Sequence, residues 1–346
     1  MTESTLHILM TGGGAPGAAG ILHCLALEKN VRVVVADADA GVGARYTQYP
    51  FEVIPRGDDP AFASVVANIC QRHRINLILP LVTRELLPLS LHQSAFEKMG
   101  VKVIVSPPAS LEIANNKSRL YQFLQWRGMA VPDFRVVETV EQFKTAIAEL
   151  GYPGKPVCFK PSVSNGSRGF RILTEQINEA DLLFHQKPTM AYMRAPEAIR
   201  ILSLQPFPEL LVSEYLPGEE YSVDCLADKG EAILVIPRLR KRMVNGISTE
   251  GLIEEQPEII SYCRQLIREL QLHGNIGIQV KAAADGAYRL LEINPRVQGS
   301  IAACLGAGIN LPVLAIQQER GQLPPRDTLK VKWGVRFSKH WEINFY

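Results

Sequence analysis

The residues best suited to do chemistry lie near the end of the chain. Gln279 precedes Glu292 by thirteen residues, and Glu292 opens the run Glu292-Ile293-Asn294-Pro295-Arg296. The flanking stretches Ile276–Val280 and Tyr288–Ile293 read as two apolar strands, with Asp285-Gly286 between them as a hairpin signal. Side chains alternate along a strand, so Glu292 and Asn294 share one face and Gln279 can meet them from its partner. Three oxygen ligands result, one of them charged. Mg²⁺ takes one or two carboxylates and completes its shell with water and phosphate oxygens, so this set suits a nucleotide-bound metal. Arg296 continues the same face, where a guanidinium can grip a transferring phosphoryl group. Taken alone, such a pattern equally fits the solvated face of an antiparallel sheet.

Upstream lie further pieces of nucleotide chemistry. Phe159-Lys160 ends a strand and leads into Pro161-Ser162-Val163-Ser164-Asn165-Gly166-Ser167-Arg168-Gly169, a small-residue loop whose backbone amides can fold over phosphates. Two strands around Pro217-Gly218 carry Glu214, Tyr215 and Leu216 on one side and Glu220 on the other. Apolar walls with few polar groups suit an adenine, and one carboxylate can accept both hydroxyls of a ribose. In Pro237-Arg238-Leu239-Arg240-Lys241-Arg242, the two residues Arg238 and Arg240 share a strand face suited to a substrate carboxylate or phosphate. The competing reading is an edge strand blunted by charge.

The elements that position these groups fall into two textures. Strands at Leu6–Met10, Val31–Ala36, Leu77–Val82 and Val101–Val105 alternate with helical stretches near Ala18–Glu28, Pro60–Arg72 and Glu85–Lys98, which predicts βαβ units and a parallel sheet. Thr11 to Gly20 forms a glycine-rich first turn, and Asp37 closes the second strand. That spacing also fits a dinucleotide fingerprint, although any βα turn favours glycine and Pro16 stands where the fingerprint needs a backbone donor. After Pro107-Pro108, short helices near Ala109–Ala114 and Lys117–Gly128 are followed by another over Thr139–Leu150, then mostly strand to about Ile236. An amphipathic helix starts at Pro257 with Gly274 as its cap. Val331, Trp333, Val335 and Phe337 alternate in the tail as in a half-buried strand, before a second aromatic run at Trp341, Phe345 and Tyr346.

Bulk composition excludes several classes. The 346 residues carry net charge +2 with 47% hydrophobic and 21% charged residues, an ordinary globular balance with no footprint for nucleic acid or an acidic membrane. No apolar run reaches spanning length, and the first strand begins almost at once with no signal peptide. Six scattered cysteines without a Cys-x-x-Cys pair point to reduced buried thiols and a cytoplasmic protein.

In order, Lys117, Lys160 with its Ser164–Gly169 loop, Glu214-Tyr215-Leu216, Glu220, Gln279 and Glu292-x-Asn294-x-Arg296 resemble the ATP-grasp superfamily, nearest to the unit found in the carbamoyl phosphate synthetase large subunit. The resemblance implies an α/β and α+β architecture: a Rossmann-like pre-ATP-grasp domain (1–108), a two-lobed ATP-grasp domain (109–329, lid about 130–213) and a strand-like tail (330–346). It implies that Lys117, Lys160, Ser164, Asn165, Gly166, Ser167 and Gly169 attend the ATP phosphates. Glu214, Tyr215 and Leu216 would attend the adenine, and Glu220 the ribose. Gln279, Glu292 and Asn294 would ligate Mg²⁺ (or Mn²⁺), Arg296 and Lys160 would be catalytic, and Arg238, Arg240 and Ser248 would line the substrate. The loop carries Ser167 and Arg168 where the synthetase is richer in glycine, Ser248 replaces a histidine, and there is one unit where the synthetase has two, so carbamoyl phosphate synthesis is not expected. The implied activity is an ATP- and Mg²⁺-dependent, ADP-forming ligase that activates a small-molecule carboxylate as an acyl phosphate and joins it to an amine or other nucleophile. The remaining alternatives are an NAD-dependent oxidoreductase built on Gly12–Gly20 and a non-catalytic ATP-binding protein. A homodimer is the commonest symmetric assembly.

Overall fold

The computed structural model describes residues 5–164, 168–185, 191–204, 206–244 and 246–340. The chain divides into two compact units, Met1–Asn115 with Glu220–Val280 and Leu291–Tyr346, and Asn116–Glu219 with Lys281–Leu290.

The first unit opens with β1 (Leu6–Thr11), α1 (Ala18–Ala26), β2 (Val31–Asp37), β3 (Phe51–Val53), α2 (Phe62–Arg72), β4 (Leu77–Pro80), α3 (Thr83–Leu91), α4 (Gln93–Lys98), β5 (Lys102–Val103) and α5 (Pro108–Ala114). Its five strands are parallel in the order β3-β2-β1-β4-β5. Both faces of such a sheet are covered, so its central strands are near-continuous apolar runs. Ile8, Leu9, Met10, Val35, Ile78 and Leu79 are completely enclosed. The alternating pattern predicts this sheet; it misses only β3, three residues between Pro50 and Pro55 that carry no periodic signal. The single helix expected over Glu85–Lys98 is two, because α3 ends at Leu91 three residues after Pro88.

The second unit holds α6 (Lys117–Trp126), β6 (Phe134–Val137), α7 (Val140–Glu149), β7 (Val157–Pro161), β8 (Arg171–Leu173), α8 (Glu179–Phe184), β9 (Tyr192–Met193), α9 (Ala195–Leu202) and β10 (Leu210–Glu214), with strand order β6-β10-β7-β8-β9. Two short helices thus interrupt the stretch read as strand-rich. Phe143, Val157, Leu173 and Val212 form its core beside Phe159, whose ring meets Phe143 edge-on at 5.2 Å.

Returning to the first unit, β11 (Glu220–Asp228), β12 (Glu231–Val244), β13 (Ile247–Ile253), α10 (Pro257–Glu269), β14 (Gly274–Ala282), β15 (Tyr288–Asn294), α11 (Leu311–Glu319) and β16 (Val335–Ser338) follow. The sheet runs β15-β14-β11-β12-β13-β16. The alternating tail pairs antiparallel along β13, and Val331, Trp333, Val335 and Phe337 pack on the core; Trp341, Phe345 and Tyr346 lie outside the described residues. Helix α10 stops at Glu269, before the expected cap. Gln271 takes the left-handed conformation there, and Gly274, also left-handed, opens β14. All six cysteines are free and buried. Among the described residues no single helix is long and apolar enough to cross a membrane.

The glycine-rich first turn has a packing role. Gly12 adopts φ +78°, and a Cβ there would meet Val82 Cγ2 at 2.5 Å. Gly17 caps α1 without a side chain, and its Cβ position lies 2.2 Å from Gly299 Cα. Backbone of the Gly299 loop therefore fills the place where a dinucleotide's pyrophosphate would meet the helix N-terminus. Asp37, the acid expected to face a ribose, instead accepts from Gly14 N at 2.7 Å and Asp39 N at 2.9 Å. The physical requirement for the glycines is close approach between two loops.

Thr11, at the end of β1, donates its hydroxyl to Glu85 Oε2 at 2.5 Å, and both residues are buried. Burial raises the Glu85 carboxyl to about 7, the Thr11 hydrogen bond pulls it down, and the Asp37 charge raises it. A carboxyl whose folded pKa exceeds its ordinary 4.5 favours folding when protonated. Its contribution is complete below pH 4.5 and lost as pH rises through about 7. Glu85→Gln, which stays neutral, should therefore unfold at a higher temperature than the parent at pH 8, by the equivalent of about 3 kcal/mol at most. The two thermal midpoints should converge near pH 4.5, and equal midpoints at pH 8 would contradict the burial argument.

Candidate active site

In the first unit, β14 and β15 are neighbours in the six-stranded sheet, but their burial does not alternate as the sequence pattern predicts: the first five residues of β14 are all buried, and β15 buries Leu290 and Ile293, three residues apart. Ile278, Val280, Leu290 and Ile293 are buried, and Gln279, Glu292 and Asn294 are half-buried, with Leu290 on the same face of β15 as Glu292 and Asn294. Asn294 Nδ2 donates to Glu292 Oε1 at 2.9 Å, and Arg296 Nη2 donates to Asn294 Oδ1 at 3.3 Å. Arg296 Nη1 also reaches Val297 O at 2.8 Å, and its Nε donates to Thr83 Oγ1 at 3.1 Å. Burial lowers the Arg296 pKa below its ordinary value, opposed by the Glu292 charge. No cluster of three or more His, Cys, Asp and Glu exists among the described residues, so a soft or nitrogen-rich metal site is not built there. Glu292 with the amide oxygens of Gln279 and Asn294 is a hard-oxygen donor set with a single charge, which fits a Mg²⁺ that keeps other positions for phosphate.

The same unit gathers Glu220, Arg240 and Ser248. Arg240 pairs with Glu220 through Nη1, donates through Nε to Ser248 Oγ at 3.1 Å and through Nη2 to Gly246 O at 2.6 Å. This network ties the start of β11 to the bulged β12–β13 hairpin. Arg238, expected to line the substrate beside Arg240, is corrected: it has no solvent exposure. Its Nε bonds Asp224 Oδ2 at 2.5 Å, its Nη2 reaches Ser300 Oγ at 3.1 Å, and its guanidinium lies 5.5 Å from the centre of the Phe337 ring. Burial works against its charge, but the Asp224 carboxylate outweighs burial and lifts its pKa above the ordinary value. Sequence reading missed Asp224, although an acid inside Val223-Asp224-Cys225-Leu226 signals a buried counter-ion. Asp224 pairs in register with Ile236, so Arg238 is its diagonal neighbour on the same face.

In the second unit, Asn116 caps α6 by accepting from Arg119 N, and Lys117 is the first residue of that helix. Lys117 N donates to Ser162 O at 2.8 Å and its Nζ to Ser164 O at 2.7 Å, so it holds the start of the small-residue loop. Ser118 and Ser162 bond through their hydroxyls at 2.5 Å. Gly169 closes the described end of the loop at φ +78°, against the Pro161 ring. Asn165, Gly166 and Ser167 lie outside the described residues. Lys160, near the end of β7, places Nζ 5.5 Å from the centre of the Tyr121 ring, and Tyr121 donates to Leu290 O at 2.6 Å. Glu214 accepts from Asp133 N at 3.1 Å; Tyr215 has Lys281 Nζ at 5.1 Å over its ring, and Leu216 is buried.

Known proteins resemble this chain in sequence and in fold. Residues 206–341 match the family described as ATP-grasp in the biosynthetic pathway with Ter operon, and residues 8–104 match the PylC-like N-terminal domain. The carbamoyl phosphate synthase large chain of Mesorhizobium japonicum is 27% identical over 228 residues, 60% of this chain and 19% of its own length. The chain thus spans about a fifth of the curated relatives it matches. Staphylococcus aureus N5-carboxyaminoimidazole synthetase complexed with ADP superposes with TM-score 0.66 at 17% identity, over 93% of this chain and 79% of that one. This is an ATP-grasp fold. The resemblance read from the ordered motifs is borne out by the family match over residues 206–341 and by the fold. Two further ATP-grasp structures agree. The biotin carboxylase domain of Hydrogenobacter thermophilus 2-oxoglutarate carboxylase, in complex with MgADP and bicarbonate, has TM-score 0.68 at 17% identity, covering 95% of this chain and 73% of its own. The L-amino acid ligase of Bacillus licheniformis has TM-score 0.62 at 16% identity, covering 94% and 78%.

Proposed function

We propose that the chain is an ATP-dependent, ADP-forming ligase that phosphorylates a small-molecule carboxylate and passes the acyl group to an amine or other nucleophile. The observation that carries this reading is the hydrogen-bonded cluster of Glu292, Asn294 and Arg296 at the end of β15, with Gln279 on the neighbouring strand β14. It couples a singly charged hard-oxygen set to a partly desolvated guanidinium. A dinucleotide enzyme is disfavoured because Gly299 fills the helix N-terminus that it would need.

A carboxylate is a poor electrophile. Its oxygen attacks the γ-phosphorus of ATP, the bond from that phosphorus to the bridging oxygen breaks, and ADP leaves. The nucleophile then attacks the acyl carbon, its proton is lost, and inorganic phosphate departs with the electron pair. Catalysis of the first step is positioning and charge neutralisation. Mg²⁺, held by Glu292, Asn294 and Gln279, would neutralise phosphate charge. Arg296 offers fixed N–H groups to the transferring phosphoryl oxygens, and its desolvation strengthens that interaction. Lys160 supplies charge to the phosphates, and Lys117 fixes the loop that would fold over them through Ser164 O. We assign the adenine to the Glu214–Leu216 segment and the ribose to Glu220, whose carboxylate Arg240 already orients.

Thermal unfolding with ATP and Mg²⁺, with NAD or NADP, and with no ligand tests the reading. A ligand at ~100-fold excess over Kd stabilises the native state by about 2.7 kcal/mol. A Mg²⁺-dependent rise with ATP, followed by carboxylate-dependent ADP release from a panel of acids and amines, is the expected result. A rise with the dinucleotides alone would overturn it, and an ATP shift with no ADP release from any acid would leave a binding protein.

A further inference from the structure

We infer that Thr83, in the parallel-sheet part of the first unit, is the positioning residue for Arg296. The inference rests on the reading of Arg296 as the group that meets the transferring phosphoryl.

Among the described residues Arg296 makes three side-chain hydrogen bonds, and two stay within its own segment, to Asn294 Oδ1 and Val297 O. Neither fixes the arginine relative to anything but its own loop. The third, from Nε to Thr83 Oγ1 at 3.1 Å, spans 213 positions of sequence. Among the described residues it is the one hydrogen bond that carries the guanidinium beyond its own segment.

Thr83 is the first residue of α3, one place after the cap position, so its hydroxyl is not the helix's N-cap. The cap position is Val82, whose side chain makes no capping bond. The Thr83 hydroxyl instead accepts from Arg296. The start of α3 is itself held from two sides: Val82 packs against Gly12, whose left-handed turn leaves no room for a Cβ, and Glu85 bonds Thr11 at the end of β1. Three residues beyond Arg296, Gly299 packs on Gly17 at the cap of α1. The loop is thus held at the arginine itself by α3 through Thr83, and three residues later by the cap of α1 through Gly17. Preorganised donors gain their effect from such fixed supports, and a displacement of about 1 Å costs up to ~10²-fold in rate.

Thr83→Val keeps the shape and removes the hydroxyl; Thr83→Ser keeps the hydroxyl. In protein labelled with ¹⁵N-arginine, the Arg296 Nε–H signal, identified by its loss in Arg296→Lys, should exchange slowly with solvent. Exchange should speed up in Thr83→Val and not in Thr83→Ser. Where the parent turns over ATP, Thr83→Val should lower kcat by roughly 10- to 100-fold with the KM for ATP little changed, and Thr83→Ser should restore it. A threonine that served folding alone would lower the thermal midpoint and leave both readouts untouched. Unchanged exchange in Thr83→Val, or equal kcat in the parent and Thr83→Val, overturns the inference. A parent with no ATP turnover counts against the ligase reading instead, since the exchange signal reports the contact by itself.

Discussion

Glu292→Gln is expected to fold as the parent does and to lose ATP turnover by roughly 10²–10³-fold or more, the scale for removing one preorganised electrostatic group from a phosphoryl or oxyanion site. The substitution keeps the shape and an oxygen, so β15 and its core residues Leu290 and Ile293 are undisturbed. What disappears is the single negative charge of the metal set. The loss should be larger than that from Gln279→Ala, because a neutral amide contributes one oxygen and no charge. Arg296→Lys should fall between them: lysine retains the charge but offers a compact ammonium in place of the planar fork that meets Thr83, Asn294 and Val297 at once. Steady-state ADP release at saturating Mg²⁺, with thermal unfolding as the folding control, measures all three. A Glu292→Gln protein with parental turnover would remove the basis for placing the metal there.

The parallel sheet and the C-terminal hairpin were legible because they rest on local patterns: apolar runs separated by helices, and two apolar runs around Asp285-Gly286. The ordered motif set was legible for the same reason, since Glu292, Asn294 and Arg296 lie on one strand and its exit. What sequence could not supply were partners distant in the chain. Thr83 meets Arg296 across 213 positions and Asp224 meets Arg238 across 14, on separate strands. Nothing in a run such as Val82-Thr83-Arg84 marks its hydroxyl as the acceptor of a guanidinium. The glycine-rich turn kept a dinucleotide open as an alternative because glycine answers only the question of space. Whether backbone or pyrophosphate fills that space depends on the Gly299 loop, 282 residues further on.

Arg238 shows the same limit and carries the largest stability prediction. A basic strand segment looks like a charged edge, yet β12 is an interior strand with β11 on one side and β13 on the other. A guanidinium on its core face has no route to water and must bring a counter-ion with it. Asp224 is that counter-ion, and Cys304 Sγ also donates to Asp224 Oδ2 at 3.4 Å. Removing the carboxylate alone, in Asp224→Ala, leaves a buried uncompensated charge and should cost about 3–5 kcal/mol, a large part of a typical folding free energy. The pair itself is imperfect, for among the described residues Asp224 Oδ1 and Arg238 Nη1 are both buried without a hydrogen-bond partner. The double change Asp224→Leu with Arg238→Met should therefore recover most of the loss, or exceed the parent, because it replaces two incompletely satisfied ions by apolar volume. Urea unfolding of Asp224→Leu, Arg238→Met and the double variant gives the coupling directly. A midpoint for Asp224→Ala equal to the parent's would mean that Arg238 finds water or another anion. The guanidinium would then be open to a ligand after all, and the substrate role expected from the sequence would return.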